Sequence, residues 1–490
     1  MYTVTKNTKL TSLVLMLIGV VALGYGFIQG AGHHTDEEVT HQIEAFAHDL
    51  QLHMVDHTDA HHKAVKTAHK STHDHHSVEE AHFAPLFHKI EEEFHLHFTN
   101  EEMMEAHDVE HVIHSTIHAL HAKAQRPWSS LLVAAIFFLG ASLLSVFFLA
   151  LQYVAEVGWS AILKRVFMAI GSFLPYVAVV ILLIILTGGL HMFGNHTYHW
   201  MADGIMDPES KHYDKIIAGK EAFLDTTFFL ARSIFYILVW IYFGRKLKQL
   251  SLAEDQHGGL SYYNKGVKTS AWFIVFFAVT SSVAAWDWIM SIDTHWFSTL
   301  FGWYVFSEWA VIGFATILLI TLYLKRLGYM SQVNDSHIHD LGKWVFAFSL
   351  VWTYMWFSQF MLIWYSNIPE EGAYFNARIE PETGYRFLFW FSMIINFIVP
   401  IVILMSRDAK RHNGRLIFVC IIILIGHWIN SFLLVAPGTL KSHGHIGFTE
   451  IGMGLGYFGL FIYVVLNSLA KVPLEAKNHP FLDESKHLHT

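Results

Sequence analysis

A single cysteine, Cys420, stands in the whole sequence, and that scarcity excludes more than any residue present. One thiol cannot build a disulfide framework, a Cys-ligated iron–sulfur cluster or the C-x-x-C-H attachment of a c-type haem. Charge is scarce as well. Asp, Glu, Lys and Arg make up 15% of the 490 residues, against about 25% in a soluble domain. The formal net charge of -9 argues against nucleic acid as a partner.

What replaces charge is apolar and aromatic: 53% of the residues are hydrophobic and 15% aromatic, gathered into long runs with almost no ionisable group. About 20 such residues cross a bilayer as a helix. The first run, about 11–29, follows Lys6 and Lys9 and precedes the small residues Gly30, Ala31 and Gly32. A signal peptide would look similar, but about 19 apolar residues exceed the usual 7–15 of a signal core, so we read a retained helix. Nine more runs follow, at about 128–154, 166–193, 222–243, 269–290, 298–324, 343–366, 386–405, 415–435 and 449–469. The sequence therefore predicts an all-α integral membrane protein of about ten transmembrane helices.

Lys and Arg in the short loops orient such a chain. Lys164/Arg165, Arg245/Lys246/Lys248 with Lys265/Lys268, Lys325/Arg326/Lys343 and Arg407/Lys410/Arg411/Arg415 fall on one side together with the tail lysines. The other side has the short 291–297 turn, the acidic 367–384 loop, and the 436–448 loop with only Lys441. This bias predicts that both termini are cytoplasmic.

Between the first two helices, residues 31–127 form an outer, periplasmic insertion that holds more than half of the 36 histidines. It is rich in Ala, Glu and Lys, and Pro85 is its only proline before Pro127, so two or three helices are expected. His107, His111, His114, His118 and His121 recur at i, i+4, i+7, i+11 and i+14, one face of a helix. Val109, Val112, Ile113, Thr116, Ile117 and Leu120 supply an apolar face opposite. Histidine pairs at i, i+4 suit zinc or copper, which makes His107, His111, His114 and His118 metal candidates. Two other readings stand beside that one. Histidine is numerous enough to be simply the polar surface residue of this segment, and imidazoles also buffer near pH 6.5.

Ionisable groups inside membrane helices are costly and usually functional. Arg232 falls in the middle of the fourth helix, with Asp225 two turns earlier on the same face. Glu308 lies in the outer half of the sixth helix, Asp287 near the outer end of the fifth, His191 at the end of the third, and His427 with Asn430 in the ninth. Pro400, with Asn396, breaks the eighth helix by freeing a backbone carbonyl. A structural pair, Arg232–Glu308 or Arg232–Asp225, would satisfy the buried arginine. The sharper reading makes these groups a proton path or a head-group site. Asp287, Asp293 and His295 cluster in sequence at the outer interface, where carboxylate and imidazole suit the two hydroxyl protons of a quinol; an aromatic belt with a capped loop would show the same tryptophans. On the cytoplasmic side, His337, His339 and Asp340 precede the seventh helix as proton candidates, with Asp335 or Ser336 expected as its N-cap.

The run Trp286-Asp-Trp-Ile-Met-Ser-Ile-Asp-Thr-His-Trp-Phe-Ser-Thr-Leu-Phe-Gly-Trp-Tyr304 resembles a signature of the membrane subunits of bacterial alternative complex III. A second stretch runs from Asn334 through His-Ile-His-Asp-Leu-Gly-Lys343, and on to Phe-Ser-Gln-Phe-Met-Leu-Ile-Trp-Tyr-Ser-Asn-Ile-Pro-Glu-Glu371. It is similar to the family that carries the name of quinone-binding membrane subunit in that complex. The resemblance covers roughly 126–470. It implies a fold of two four-helix bundles plus two flanking helices, shared with the membrane subunit of polysulfide and nitrite reductases. The expected divisions are 1–30 for the first helix, 31–127 for the insertion, 128–290 and 291–435 for the bundles, 436–470 for the last helix and 471–490 for a cytoplasmic tail.

The resemblance further implies a bacterial inner (cytoplasmic) membrane and a complex that oxidises menaquinol or another quinol and passes electrons to cytochrome c or a terminal oxidase. No cofactor would be covalently bound here. Haem and iron–sulfur clusters would belong to the partners: a multihaem cytochrome, an iron–sulfur protein and a second, homologous membrane protein of the same complex. Its weight falls on Asp287, Asp293, His295, His337, His339, Asp340 and Gln359, whereas His191, Asp225, Arg232, Glu308 and His427 rest on the membrane argument alone. Two other classes remain open: a secondary transporter, conceivably of metal cations, and a purely structural anchor. Against transport, no spanning helix shows a paired His/Asp/Glu ligand set, and the two halves lack corresponding Gly/Pro breaks.

Overall fold

The structure, a computed structural model, describes residues 2–30, 36–50, 83–96, 98, 103, 106 and 108–489. No strand occurs among them, and ten helices are long and apolar enough to span a membrane. They are α1 (Lys6–Gly30), α2 (Val109–Val154), α3 (Ala161–Gly189), α4 (Thr226–His257), α5 (Leu260–Ile292), α6 (Phe301–Arg326), α7 (Asp335–Ser366), α8 (Arg386–Leu404), α9 (Asn413–His443) and α10 (Phe448–Ala470). The protein is an all-α membrane protein.

Several helices outrun their apolar stretches. α4 and α5 continue to a tight turn at Gly258 and Gly259, both at positive φ, a conformation open to glycine but strained for residues with a Cβ. In α8, the turn Ile394–Ile398 widens to a π-helix just before Pro400, whose ring lacks an N–H and crowds the carbonyl four residues back.

The chain divides into two compact units, Gly26–Arg126 and the remainder. Within the smaller unit, helices Asp36–Asp49 and Ala84–Phe94 pack with the start of α2. Val39, Ile43, Leu86, Phe87 and Ile90 meet Val109 and Val112 there, with Ile113, Ile117 and Leu120 against the edge. The apolar face of this stretch is thus covered within the insertion.

In the larger unit, α2, α3, α4 and α5 pack as one ring and α6, α7, α8 and α9 as another. α2 and α6 form the seam between them: 94% and 89% of their spanning windows are buried, more than in any other helix of the ten. Small residues let them approach. A Cβ on Gly140 would lie 2.5 Å from the Trp309 ring, and one on Gly313 would strike Leu144, the close backbone contact that membrane interfaces favour. α10 packs on α3, and α1 on α10.

Tyr2 meets Tyr323 at the end of α6, and Asn334 before α7 donates to the Leu488 carbonyl (2.7 Å). Both ends of the described chain therefore lie on one side, called here the terminal side. The opposite ends of the helices form the far side.

Candidate functional site

The buried charges of the first ring are neutralised. Arg232 in α4 donates through Nε (3.1 Å) and Nη2 (2.9 Å) to the two carboxylate oxygens of Asp287 in α5, and Tyr236 adds its hydroxyl to Oδ2 (3.1 Å). The rings of Phe223 and Phe228 flank the guanidinium at 4.1 and 4.3 Å. Neither Glu308 nor Asp225 is the partner that the sequence suggested. Asp225 instead caps α4, accepting from the Phe228 N–H at 2.7 Å. The hairpin explains the choice: Arg232 lies 26 residues before Gly258 and Asp287 28 after Gly259, so antiparallel neighbours bring them level.

The three outer residues adjacent in sequence also part company. α5 ends in a 3₁₀ segment at Met290–Ile292, where the chain turns. Asp287 points into the first ring. Asp293 accepts from Arg378 at 3.1 Å, and His295 pairs with Asp214 at 2.6 Å on the surface. The expected quinol cluster of Asp287, Asp293 and His295 therefore does not form; each serves a separate ion pair. His191 is exposed beyond the end of α3, 3.5 Å from Asp203.

The second ring differs. Glu308 of α6 is fully buried and has no ion-pair partner among the described residues. Ser431 of α9 donates to its Oε1 at 2.9 Å, and Oε2 has no protein partner. One residue along α9, Asn430 accepts from the Tyr304 hydroxyl (2.8 Å) while its amide nitrogen is unpartnered. A turn deeper, His427 is buried with neither ring nitrogen bonded, edge-on to Trp352 at 5.0 Å. In α8, Asn396 donates to Ser392 at 3.2 Å and leaves its carbonyl oxygen without a partner, beside the π turn. Unpaired buried polar atoms are uncommon and ask for a reason, and several of them lie here between four helices.

Asn430 and Tyr304 line a narrow cavity of about 20 Å³, walled also by Trp352, Gln359, Arg378 and Ser392 among others. Such a space takes one or two water molecules, and the unbonded Gln359 Oε1 and Asn430 amide offer them partners. The helix Pro369–Ile379 covers it on the far side. Its buried Arg378 donates to the carbonyls of Tyr374 (2.6 Å) and Leu433 (3.0 Å) as well as to Asp293, and its guanidinium lies 3.5 Å above the Tyr374 ring. Tyr374 in turn stacks on Trp296 at 4.0 Å. Burial, partly offset by Arg378, pushes the Tyr374 hydroxyl up to about 12, so it stays a donor at neutral pH. Sequence reasoning passed over Arg378, although it is the only cation of the acidic 367–384 loop.

On the terminal side, the N-cap of α7 is Asn334 rather than Asp335 or Ser336. Its side chain accepts from the N–H groups of Ser336 (2.9 Å) and His337 (3.2 Å), and the His337 ring turns back to it. Asp335 in the first turn pairs with Lys325, and Asp340 with Lys343 at 2.6 Å. His339 Nδ1 and His337 Nε2 are buried without partners. Between this cluster and Glu308, the hydroxyls of Thr316, Ser349 and Thr353 all bond to carbonyls of their own helix. The unpaired polar groups thus reach from the far side only to mid-membrane.

Of the metal candidates, His107 lies outside the described residues. His111 turns its Nδ1 inward, while His114 and His118 meet at the surface. No three His, Cys, Asp or Glu converge as a metal centre among the described residues. No protein-family model and no curated protein matches the chain.

Proposed function

We propose that this chain is a membrane subunit, without redox centres of its own, of a quinol-oxidising respiratory complex, and that its second helix ring carries a proton half-route. The observation behind the route is Glu308: a fully buried carboxyl with no cation partner among the described residues and one free oxygen, one helical turn from Tyr304, which lines a water-sized cavity. An unpaired carboxyl in apolar surroundings is most stable neutral. It can therefore hold a proton and release it when a neighbour or a water accepts. Asn430 and Tyr304 position the cavity end, and His427 and Asn396 extend the polar groups inward. Gln359 lines the same cavity.

A cavity of about 20 Å³ is too small for a quinol head group, so the second ring is assigned protons and not the quinol itself. The assignment to a quinol-oxidising complex of a bacterial inner membrane rests on the alternative complex III-like runs 286–304 and 334–371. In that reading haem and iron–sulfur clusters sit on partner proteins.

Purification of the tagged chain from its native membrane in mild detergent, with optical spectra and mass spectrometry, tests the assembly. Co-purifying multihaem cytochrome and iron–sulfur proteins with quinol oxidation are the expected result; a colourless chain isolated alone would overturn it and direct attention to cation transport. Glu308→Gln then tests the route in the intact complex. Positioned acid–base groups contribute about 10²–10⁴-fold, and a loss of quinol-driven proton movement on the order of 100-fold, with assembly intact, is expected.

A further inference from the structure

The helix Pro369–Ile379 that covers the second-ring cavity lies between two turn residues at positive φ, Asn367 and Gly384. Tyr374 and Phe375 seat it through aromatic contacts with Trp296, Phe360 and Phe389. Among the described residues, Arg378 is its only side chain hydrogen-bonded to another element. Pro437 has no N–H to give to the Leu433 carbonyl four residues before it in α9, and Arg378 Nε takes that place at 3.0 Å. Nη2 reaches Asp293, just beyond the end of α5, at 3.1 Å. The two halves of this pair differ in access: the arginine side chain is 2% exposed and the aspartate 21%. Far-side water therefore touches the carboxylate, while the guanidinium lines the cavity.

We propose that Arg378 and Asp293 form the latch of a gate between the cavity and the far side. A guanidinium keeps its charge at any physiological pH, and a fixed cation on the wall of a water-sized space repels an excess proton there. With the latch closed, cavity water is cut off twice, by the covering helix and by this charge. The charge belongs to the cover itself. When Asp293 lets go and the helix lifts about Asn367 and Gly384, both barriers leave together, and water replaces the arginine at the Leu433 carbonyl and at the carboxylate. The latch rests on the reading of Glu308 as a proton-holding group, and it sets when the far side can take or give that proton.

Hydroxyl-radical footprinting of the full-length protein in detergent, read by mass spectrometry, tests the gate at Tyr304 and Trp352, two buried residues of the cavity wall. Asp293→Asn keeps the shape of the partner and removes its charge. Oxidation of both residues is expected to rise roughly threefold, the scale on which losing a partly exposed ion pair shifts an opening equilibrium. Trp240, equally buried in the first ring, should not change. Arg378→Lys, which cannot bridge the same acceptors, should act in the same direction. No rise in either variant, with the fold intact by circular dichroism, would overturn the latch.

The unaltered protein supplies a second measurement. Amides 372–379 are expected to exchange as one group and faster than amides 428–435 of α9, as a locally opening unit does; equal protection of the two segments would also overturn the latch. Quinol-driven proton movement in the intact complex separates this inference from the reading beneath it. A footprinting rise in Asp293→Asn, with proton movement unaffected by Glu308→Gln, upholds the latch and removes the route. No rise, with proton movement lost in Glu308→Gln, removes the latch and leaves the route.

Discussion

The two helix rings each bury a carboxylate and treat it in opposite ways. In the first, Asp287 receives two bonds from Arg232 and one from Tyr236. Further pairs, Lys164–Glu254 and Arg165–Asp255, close the terminal side of the same ring. In the second, Glu308 receives one bond from a serine, and its neighbours His427, Asn430 and Asn396 keep open valences. Paired charges fix packing, and both Asp287 oxygens are bonded, although Arg232 Nη1, Arg165 Nε and Glu254 Oε1 of the same ring have no partner. Unsaturated groups lose stability but can bind water and pass protons. The two rings share one membrane architecture and differ in how fully their buried carboxylates are bonded.

Removing one partner of the saturated pair is the strongest way to break this contrast. Arg232→Met leaves a buried carboxylate uncompensated, a change that costs about 3–5 kcal/mol. Loss of folded protein on size exclusion is expected, with recovery in Arg232→Met/Asp287→Leu; a single variant as stable as the parent would refute the anchoring role. The next effect is kinetic: Glu308→Gln should leave the melting temperature nearly unchanged while proton movement falls.

A smaller effect depends on pH. His479 in the C-terminal tail packs against Tyr153, Tyr263 and Phe481 of the first ring's terminal side and its cover. Burial, assisted by Lys164, lowers its pKa to about 3. Between that value and about 6.5 the unfolded chain binds a proton that the folded one does not, so stability falls as pH drops through this window, by up to about 1.4 kcal/mol per unit. The hydrogen-exchange protection of residues 474–487, taken relative to the intrinsic amide rate at each pH, should fall from pH 7 to pH 5, and His479→Phe should abolish the change. The smallest effect expected is that of His427→Phe on stability. It removes two unbonded nitrogens without opening a cavity, so the protein should be as stable or up to about 1 kcal/mol more so; a drop in proton movement in that variant would place the imidazole on the route.

The ten spans were legible because hydropathy alone dictates them. Their ends were not: α2 begins at Val109 rather than 128, since the amphipathic histidine stretch is helical as well and carries no hydropathy signal of a span. Buried charges were legible as such, and their partners were not. Helical periodicity placed Asp225 on the face of Arg232, but an aspartate directly ahead of a helix satisfies free N–H groups first. The level of α4 against α5 depends on where the two glycines turn the chain, and hydropathy does not mark that point. Asp287, Asp293 and His295 looked like one cluster because they are close in sequence, whereas a single 3₁₀ turn sends them in three directions. The Tyr304–Asn430 and Glu308–Ser431 contacts join residues more than 120 positions apart, which no local pattern can announce.

The seam between α1 and α10 carries a consequence in time. Gly19 and Gly456 approach so closely that a Cβ on either would lie 2.5 Å from the other's Cα, and Gly459 admits Leu15 in the same way. Only 22% of the spanning window of α1 is buried, so this glycine contact is its main anchorage. Yet its docking surface is made 437 residues later, which at about 5–20 residues per second means roughly twenty seconds to a minute and a half of synthesis. Throughout that interval α1 stands in lipid with an unfilled groove of small residues, and whatever escorts the chain during insertion has that long to hold it.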